Sequence, residues 1–486
     1  MVLSRIMLAM LAVLIVLALL FAAGAGLESP SYLIALAAGA LAAGTYLAFR
    51  RSIGERVALR DALYKRLGAK QTAAVLAVLC FAVNLVWILV VRIEPFSDYQ
   101  TYWGCACTLA FGDPMAANEL EYISVYPHIL GYSSFLSLFL RLFGRHVMVG
   151  AVLNVVLTAA SGLVIYRFCC RVLGDESAVV AFLLWIFLPS RLMLNSLIFS
   201  EPLYTFLVLA FLLCVTELDL HREELCGRYA VCIAAGLGLG VILRCIHIVR
   251  PIAAILIIAL VIWLVFLRRG DLKNGRLWIS WGIILAVLLC VYSVTGKLWD
   301  TRVTAFTGEE PASVPIYNIY VGFNEETQGQ WSAEDMDLLF EHKHSGNLSA
   351  AEAQESMLPH LRERLRSGID FAGLFRSKLT AFMANDELGG YTYRFTRPEL
   401  FVKICMVIDN VYYYLLLFLV LAGLWRMGCY YGLTAPLLCP LFALGLTLAH
   451  MLVEVSVRYH YSLLPVFIII AAYAVPYNKK SLRRSA

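Results

Sequence analysis

The chain has 486 residues, of which 61% are hydrophobic and only 15% charged, and its formal net charge is +5 at pH 7. Its mean hydropathy of +0.77 excludes a soluble globular protein of this length and indicates a protein of the lipid bilayer. The 13 cysteines stand mostly inside apolar runs, so they indicate neither a disulfide framework nor a zinc site.

Twelve segments are apolar enough to cross a hydrocarbon core, which takes about 20 residues per helix. We place them at residues 5–26, 31–49, 72–93, 147–168, 177–194, 201–218, 229–247, 251–267, 277–296, 404–425, 433–454 and 461–477. Because a span must satisfy its own backbone hydrogen bonds, we expect an all-α integral membrane protein of about 12 transmembrane helices. The hydropathy also predicts a soluble outer domain between helices 9 and 10.

Lysine and arginine are concentrated at residues 50–70, 167–171, 268–276 and 478–484. Cytoplasmic loops carry an excess of these residues, so we expect both termini in the cytoplasm. The domains predicted are an extra N-terminal hairpin with a basic loop (1–71), a transmembrane core with an outer loop at 94–146 (72–296), the outer domain (297–403) and the C-terminal helices with a basic tail (404–486).

Two stretches of the predicted outer regions have amphipathic patterns. In the loop 94–146, residues 132–144 are too short to span, so we expect one or two short helices parallel to the membrane. Residues 361–379 repeat apolar residues at roughly helical spacing. They are interpreted as a single helix, lying either on the membrane surface or on the surface of a small domain.

Five charged residues stand where predicted helices meet the outer face, namely Asp98, Glu201, Arg244, Arg250 and Arg458. Ionisable residues are expensive in a bilayer, so a group of them on one face indicates a functional site. Each also has an ordinary explanation. An acid can be a solvated helix end or a first-turn acid favoured by the helix dipole, and an arginine can extend to headgroup phosphates.

Several pieces, in this order along the chain, resemble the GT-C type of membrane glycosyltransferase, a superfamily that includes protein O-mannosyltransferases and lipid A aminoarabinose transferases. They are the acidic loop motif "SDYQTYW" (97–103) and the segments 126–144, 188–204, 243–251, 317–331 and 454–473. The resemblance extends over residues 72–477 and leaves the first two helices unexplained. Some relatives pair the loop acid with a second acid, which here would have to be Glu94 or Glu201.

The resemblance implies an inverting transfer of a sugar from a polyprenyl-phosphate carrier to a glycan, lipid or protein acceptor on the outer side of the cell membrane. An acceptor hydroxyl needs a base, and Asp98 is the candidate, with Glu201 as a second catalytic acid. Arginine suits phosphate oxygens, so Arg458, Arg244 and Arg250 are the predicted donor-phosphate ligands. The residues predicted to line the sugar and acceptor are Tyr99, Tyr102, Trp103, Tyr126, His128, Tyr459 and His460.

The role of a metal and the class of protein both stay open at this stage. A divalent metal is one possible cofactor, but a monophosphate held by arginines needs it less than a diphosphate does. A multi-pass transporter or lipid-carrier flippase also has many helices and intramembrane charges. A polysaccharide polymerase or ligase with a lipid-diphosphate donor is closer in chemistry. The expected partners are the donor lipid, its acceptor and membrane lipids, and no nucleic acid.

Overall fold

A computed structural model describes residues 2–27, 29–56, 58–268, 274–312, 314–387, 397–431 and 436–475, and every regular element in these ranges is a helix. The α-helices are α1 Val2–Gly26, α2 Pro30–Arg56, α3 Ala58–Val90, α4 Asp98–Phe111, α5 Ala117–Val125, α6 His128–Phe143, α7 Val147–Val172, α8 Asp175–Ile186, α9 Pro189–Leu194, α10 Glu201–Leu220, α11 Arg222–Leu225, α12 Tyr229–Val249, α13 Ala253–Ile262, α14 Gly275–Thr307, α15 Ile316–Gly322, α16 Ala333–Ser345, α17 Ala350–Ser356, α18 Leu358–Arg366, α19 Phe371–Leu379, α20 Glu399–Arg426, α21 Leu438–Leu452 and α22 Leu463–Ala471. Three π-helical turns follow α13, α19 and α20, and 3-10 turns stand at Val457–His460 and Ala472–Ala474.

Eight helices of the described chain are long and apolar enough to cross a membrane, and each coincides with one of the twelve predicted segments. They are Val2–Gly26, Pro30–Phe49, Gly68–Val90, Val147–Val172, Glu201–Leu220, Tyr229–Val249, Gly275–Thr307 and Glu399–Cys429. The polytopic, all-helical character is therefore confirmed. The bent pair of α5 and α6, which meet at 112°, brings the number to nine if the two helices form one broken span.

Three of the other predicted spans are apolar helices of only 10–17 residues within the described ranges, at Ala253–Leu267, Leu438–Leu452 and Leu463–Ala474. The fourth, 177–194, is interrupted, because α8 ends at Ile186 and α9 starts afresh with Pro189 at its first position. Proline fits the first helical turn but cannot continue a helix, since it lacks the backbone N–H. The number twelve is thus not confirmed.

The outer loop 94–146 contains three helices, α4 to α6, where one or two were expected. The start of α6 lies directly against the end of α12, because a Cβ on Gly131 would collide with the carbonyl of Ile248. This contact requires glycine, which has no Cβ. It brings His128, on the first turn of α6, close to Arg250, which follows α12.

The prediction of one amphipathic helix over 361–379 is wrong. The stretch is divided between α18 and α19, with Gly368 at a φ of +86° between them. Asp370 caps the second helix, because its carboxylate accepts hydrogen bonds from the backbone N–H groups of Ala372 and Gly373 at 3.1 and 3.0 Å. Glycine permits the left-handed turn, and a capping Asp starts a new helix.

Two sets of contacts identify the two opposite ends of the helix bundle. The guanidinium of Arg376, on α19, lies over the ring of Phe21 at 5.6 Å, and Tyr32 donates a hydrogen bond to Glu387. The hairpin between α1 and α2 is therefore at the same end as the segment 308–387. At about 1.5 Å per residue, the 26 residues of α7 lead to the opposite end, where Arg171 pairs with Glu217 at 2.8 Å.

We expect these ends to face opposite sides of the membrane, with the segment 308–387 outside. A cysteine introduced at exposed Ser345 should react with an impermeant maleimide in intact cells, whereas one at exposed Glu224 should react only after permeabilisation. The reverse pattern would overturn the orientation. The predicted cytoplasmic tail at 478–484 lies outside the described residues, as do the side chains of 50–67 in the basic loop.

Candidate functional site

Asp98 is the first residue of α4, and its carboxylate is paired with a distant arginine. Arg458 Nη2 donates to Asp98 Oδ2 at 2.5 Å, although 360 residues separate the two positions. The preceding Ser97 has a φ of 49°, a left-handed conformation that costs a non-glycine residue energy. Asp98 is therefore not only a solvated helix end, since tertiary packing joins it to the loop before α22.

Burial raises the pKa of Asp98, but the charge and hydrogen bond of Arg458 and the charge of Arg250 outweigh it, so the pKa lies below its usual value. The Asp98 side chain remains 39% exposed, against 20% for Arg458. Arg458 Nε is buried and has no hydrogen-bond partner within the described part of the chain. The Arg458 guanidinium thus has at least one N–H donor, at Nε, that its pair with Asp98 does not use.

Arg250 and Arg458 both lie over the ring of Tyr459. The Arg250 guanidinium is 4.6 Å from the ring centroid and the Arg458 guanidinium is 5.7 Å from it. Attraction between a cation and an aromatic face explains this arrangement. Among the described residues, none forms a hydrogen bond with the Arg250 side chain and none forms an ion pair with it within 4.0 Å. The N–H groups of Arg250 can therefore bind another ligand.

Glu201 joins the same cluster from the first turn of α10, where it is 2% exposed. Burial lowers the pKa of Arg250, but the charge of Glu201, followed by Tyr459, outweighs it and holds that pKa above its usual value. The charge of Glu201 also acts on Arg458. The site therefore places two carboxylates near two guanidinium groups.

A buried polar network holds the segment that leads to Glu201. Arg191 is fully buried and donates to Asn84 Oδ1 at 2.7 Å. Asn195 Nδ2 donates to the same oxygen at 2.6 Å, and Ser196 Oγ donates to a backbone carbonyl at the end of α3 at 2.7 Å. Buried polar groups require such partners, so this network anchors the interruption between α8 and α10. Neither Arg191 nor Asn84 was predicted from the sequence.

Glu454 is a third carboxylate of the cluster, and it was not predicted from the sequence. It is 9% exposed and accepts a hydrogen bond from the Tyr459 hydroxyl at 2.8 Å. Burial raises the pKa of Glu454, and the lowering effects of the Tyr459 hydroxyl and of the two arginines do not cancel this rise. Its position, at the end of an apolar segment and four residues before Arg458, could have identified it. Glu94, the other predicted second acid, is exposed.

The chain before Arg458 is extended and is held by the segment 316–379. The backbone N–H of Glu454 donates to Asn318 O at 2.8 Å, and that of Val455 donates to Gly329 O at 2.9 Å. Fully buried Lys378 donates to the carbonyl of Val453 at 2.8 Å, and burial lowers its pKa to about 8. These bonds fix the backbone from which Glu454, Arg458 and Tyr459 project.

Four of the predicted lining residues surround this cluster. Tyr99 and Tyr102 are buried on α4. His128 lies within electrostatic range of Arg250 and Arg458. The ring of Tyr126 lies 6.1 Å from that of His128. Trp103, on the same helix as Tyr99, packs partly buried against the main hydrophobic core.

The structure places two other predicted site residues apart from the cluster. Arg244 donates to the carbonyl of Tyr292 on α14, and its guanidinium lies 4.0 Å from that ring. His460 is buried, stacks on Tyr413 at 5.5 Å and shares a hydrogen bond of 2.8 Å with Phe382 O. Neither side chain forms a hydrogen bond or an ion pair with Asp98, Arg250 or Arg458 in the described chain, so neither belongs to the proposed site.

The described residues contain no group of three or more His, Cys, Asp and Glu side chains that could hold a metal ion.

Comparison with known proteins adds an independent observation. Residues 128–318 match the dolichyl-phosphate-mannose-protein mannosyltransferase family. This match confirms the predicted resemblance to GT-C type membrane glycosyltransferases. The comparison with curated proteins gave no significant match.

The similarity to the mannosyltransferase family covers 191 of 486 residues, counted from 128 to 318. It includes His128, Glu201 and Arg250, whereas Asp98 and Arg458 lie outside it. The match indicates a membrane glycosyltransferase of the mannosyltransferase type that uses a lipid-linked sugar.

Proposed function

We propose that this protein transfers a sugar, with inversion, from a polyprenyl-phosphate carrier to an acceptor on the extracytoplasmic side of the membrane. The observation that carries the proposal is the position of Asp98, a potential base, in direct contact with Arg458, one of two guanidinium groups over one tyrosine ring. Base and phosphate ligands must belong to one small site in such a transfer, because the acceptor attacks the sugar carbon that bears the phosphate, from the face opposite to that phosphate.

Arg250 and Arg458 are the proposed ligands of the donor phosphate. Guanidinium groups bind phosphate oxygens through paired, charge-assisted hydrogen bonds. Arg458 Nε has no partner among the described residues, and the contact that the structure gives the Arg250 guanidinium is with the face of the Tyr459 ring. Both cations can therefore stabilise the negative charge that develops on the leaving phosphate.

Asp98 is the proposed general base. As the acceptor oxygen bonds to the anomeric carbon, its proton passes to the Asp98 carboxylate, and the electron pair of the breaking carbon–oxygen bond leaves with the lipid phosphate. In the structure Arg458 holds the pKa of Asp98 below its usual value, which weakens the base. A donor phosphate that takes over Arg458 removes this effect, so donor binding itself would activate Asp98.

Glu201 has a supporting role in this proposal. Its charge acts on Arg250 more strongly than that of any other group, so it orients and balances this cation beside the donor phosphate. Glu201 is nearly inaccessible, at 2% exposure, which makes it a weaker candidate for the base than Asp98.

Mass spectrometry of cell-envelope glycans, lipids and proteins tests the proposal, with cells that carry the wild-type protein, no protein or Asp98→Asn. A transferase predicts that one acceptor class loses the mass of one sugar in both deficient strains, while the sugar-charged lipid accumulates. A flippase would instead require every product of that donor to disappear. A polymerase or ligase would require loss of a multi-sugar chain, and either of these results would overturn the proposal.

A further inference from the structure

Tyr459 occupies a central position among the charges, although its own side chain is neutral. Its ring lies under the guanidinium groups of Arg250 and Arg458, which come from the end of α12 and from the 3-10 turn before α22. Two like charges repel each other at short range. The electron-rich π system of the Tyr459 ring attracts both guanidinium groups and so stabilises each of them close to the same ring.

Two neighbours fix the orientation of the Tyr459 ring. Its hydroxyl donates to Glu454 Oε1 at 2.8 Å, and the imidazole of His450 stacks on it at 5.1 Å with an interplanar angle of 28°. His450 in turn shares a hydrogen bond of 3.1 Å with the backbone carbonyl of Glu454. Glu454 thus fixes the hydroxyl end of the Tyr459 ring, and His450 packs on its face.

Glu454 is itself anchored by its main chain and its second carboxylate oxygen. Its N–H donates to Asn318 O at 2.8 Å, and Asn318 Nδ2 donates to Glu454 Oε2 at 3.5 Å. Glu454 makes no salt bridge with an arginine within 4.0 Å in the described chain. Its direct hydrogen bond within the charged cluster is to the Tyr459 hydroxyl, which indicates a positioning function.

We propose that Tyr459, oriented by Glu454, is a positioning residue that holds the guanidinium groups of Arg250 and Arg458 at a separation that lets both bind one phosphate. The inference rests on the proposed function, because it assumes a polyprenyl-phosphate donor. It makes Tyr459 a support of the two phosphate ligands, whereas the sequence alone predicts that Tyr459 lines the sugar or acceptor.

Binding of farnesyl phosphate and of farnesol to the purified full-length protein tests this role, since the two probes differ only in the phosphate. Tyr459→Leu removes the ring that holds both guanidinium groups and should weaken farnesyl phosphate binding by about tenfold, because binding must then immobilise two arginine side chains, with farnesol binding unchanged. Tyr292→Leu is the matched control, because it removes the same kind of ring from under Arg244. This control should alter neither affinity.

Conservative variants separate positioning from folding. Tyr459→Phe keeps the ring but loses the hydroxyl, and Glu454→Ala loses the acceptor, so both should weaken phosphate binding by about threefold. Glu454→Gln retains an oxygen that can accept the Tyr459 hydroxyl and should restore near wild-type binding. In transfer assays the KM for the donor should rise more than kcat falls, because the arginines act on the donor phosphate.

The outcomes distinguish this inference from the proposed function. If the wild-type protein does not prefer farnesyl phosphate over farnesol, the polyprenyl-phosphate donor itself is wrong. If it does and Tyr459→Leu keeps the full preference, only the positioning role is overturned. Equal loss of both probes, together with a lower melting temperature, would reduce Tyr459 to a structural residue and would likewise overturn the inference.

Discussion

Asp98→Asn should lower sugar transfer by about 10²-fold or more, the lower range for loss of a general base, while donor binding is kept or improved. The amide keeps the size and shape of the carboxylate but cannot take the acceptor proton. It also no longer attracts Arg458, which Asp98 holds at 2.5 Å, so this arginine becomes more available to a phosphate. Single-turnover transfer and farnesyl phosphate binding measure the two effects separately.

The matched control is Asp113→Asn. Asp113 lies in the same outer loop and pairs with Arg145 at 2.6 Å, but the structure places this pair just beyond the end of α4, away from Arg250 and Arg458. It should leave both transfer and binding unchanged. If Asp98→Asn folds normally and transfers sugar within a few-fold of the wild-type rate, Asp98 serves only as a partner of Arg458, and the base must be sought at Glu201.

Arg458→Ala should weaken farnesyl phosphate binding by about 10- to 100-fold, the range for hydrogen bonds to a charged group, and should reduce turnover as well. Arg458→Lys restores the charge without the planar fork, so its affinity should lie between those of the alanine variant and the wild type. Arg145→Ala, at the other arginine–aspartate pair of the outer loop, is the control and should retain wild-type affinity.

The pH dependence of Arg458→Ala provides a further readout. A base works only when it is deprotonated, so activity falls at acidic pH as Asp98 takes up a proton. Burial raises the pKa of Asp98 and Arg458 lowers it, so removal of Arg458 leaves the effect of burial with less opposition. The acidic limb of the kcat/KM profile should therefore move to higher pH. An unchanged limb and unchanged affinity would remove Arg458 from the site.

The membrane helices were largely predictable because each requires about 20 consecutive apolar residues, a property of the local sequence. The interruption of 177–194 was not predictable from hydropathy, because buried Arg191 is accommodated by Asn84 of another helix together with the Ile186 carbonyl and the Trp185 ring. The break between α18 and α19 was visible as Gly368 and Asp370, but the regular spacing of apolar residues concealed it. The spacing of apolar residues indicates that a segment favours helix, but it does not locate a turn that a glycine permits.

The pairing of Asp98 with Arg458 agrees with the expectation that charges at the helix ends meet. That expectation followed from topology, which assigns loops to a face but does not set distances within the face. It therefore treated Arg244 like Arg250, although the former packs on Tyr292 of α14. It also passed over Glu454, whose relevance depends on a hydrogen bond to Tyr459. Side-chain contacts between distant segments require the packed structure.

The extended segment Val453–Val455 has a consequence for protein engineering. Asn318 and Gly329 accept its backbone N–H groups, and Lys378 donates to one of its carbonyls, so the outer segment and the arginine-bearing turn share one hydrogen-bonded unit. A chimera that exchanges only the region 308–387 with a relative would replace the Lys378 side chain and the backbone that carries the two accepting carbonyls. Such an exchange should include residues 453–461, so that the outer segment and the turn that carries Arg458 are transplanted as one hydrogen-bonded unit.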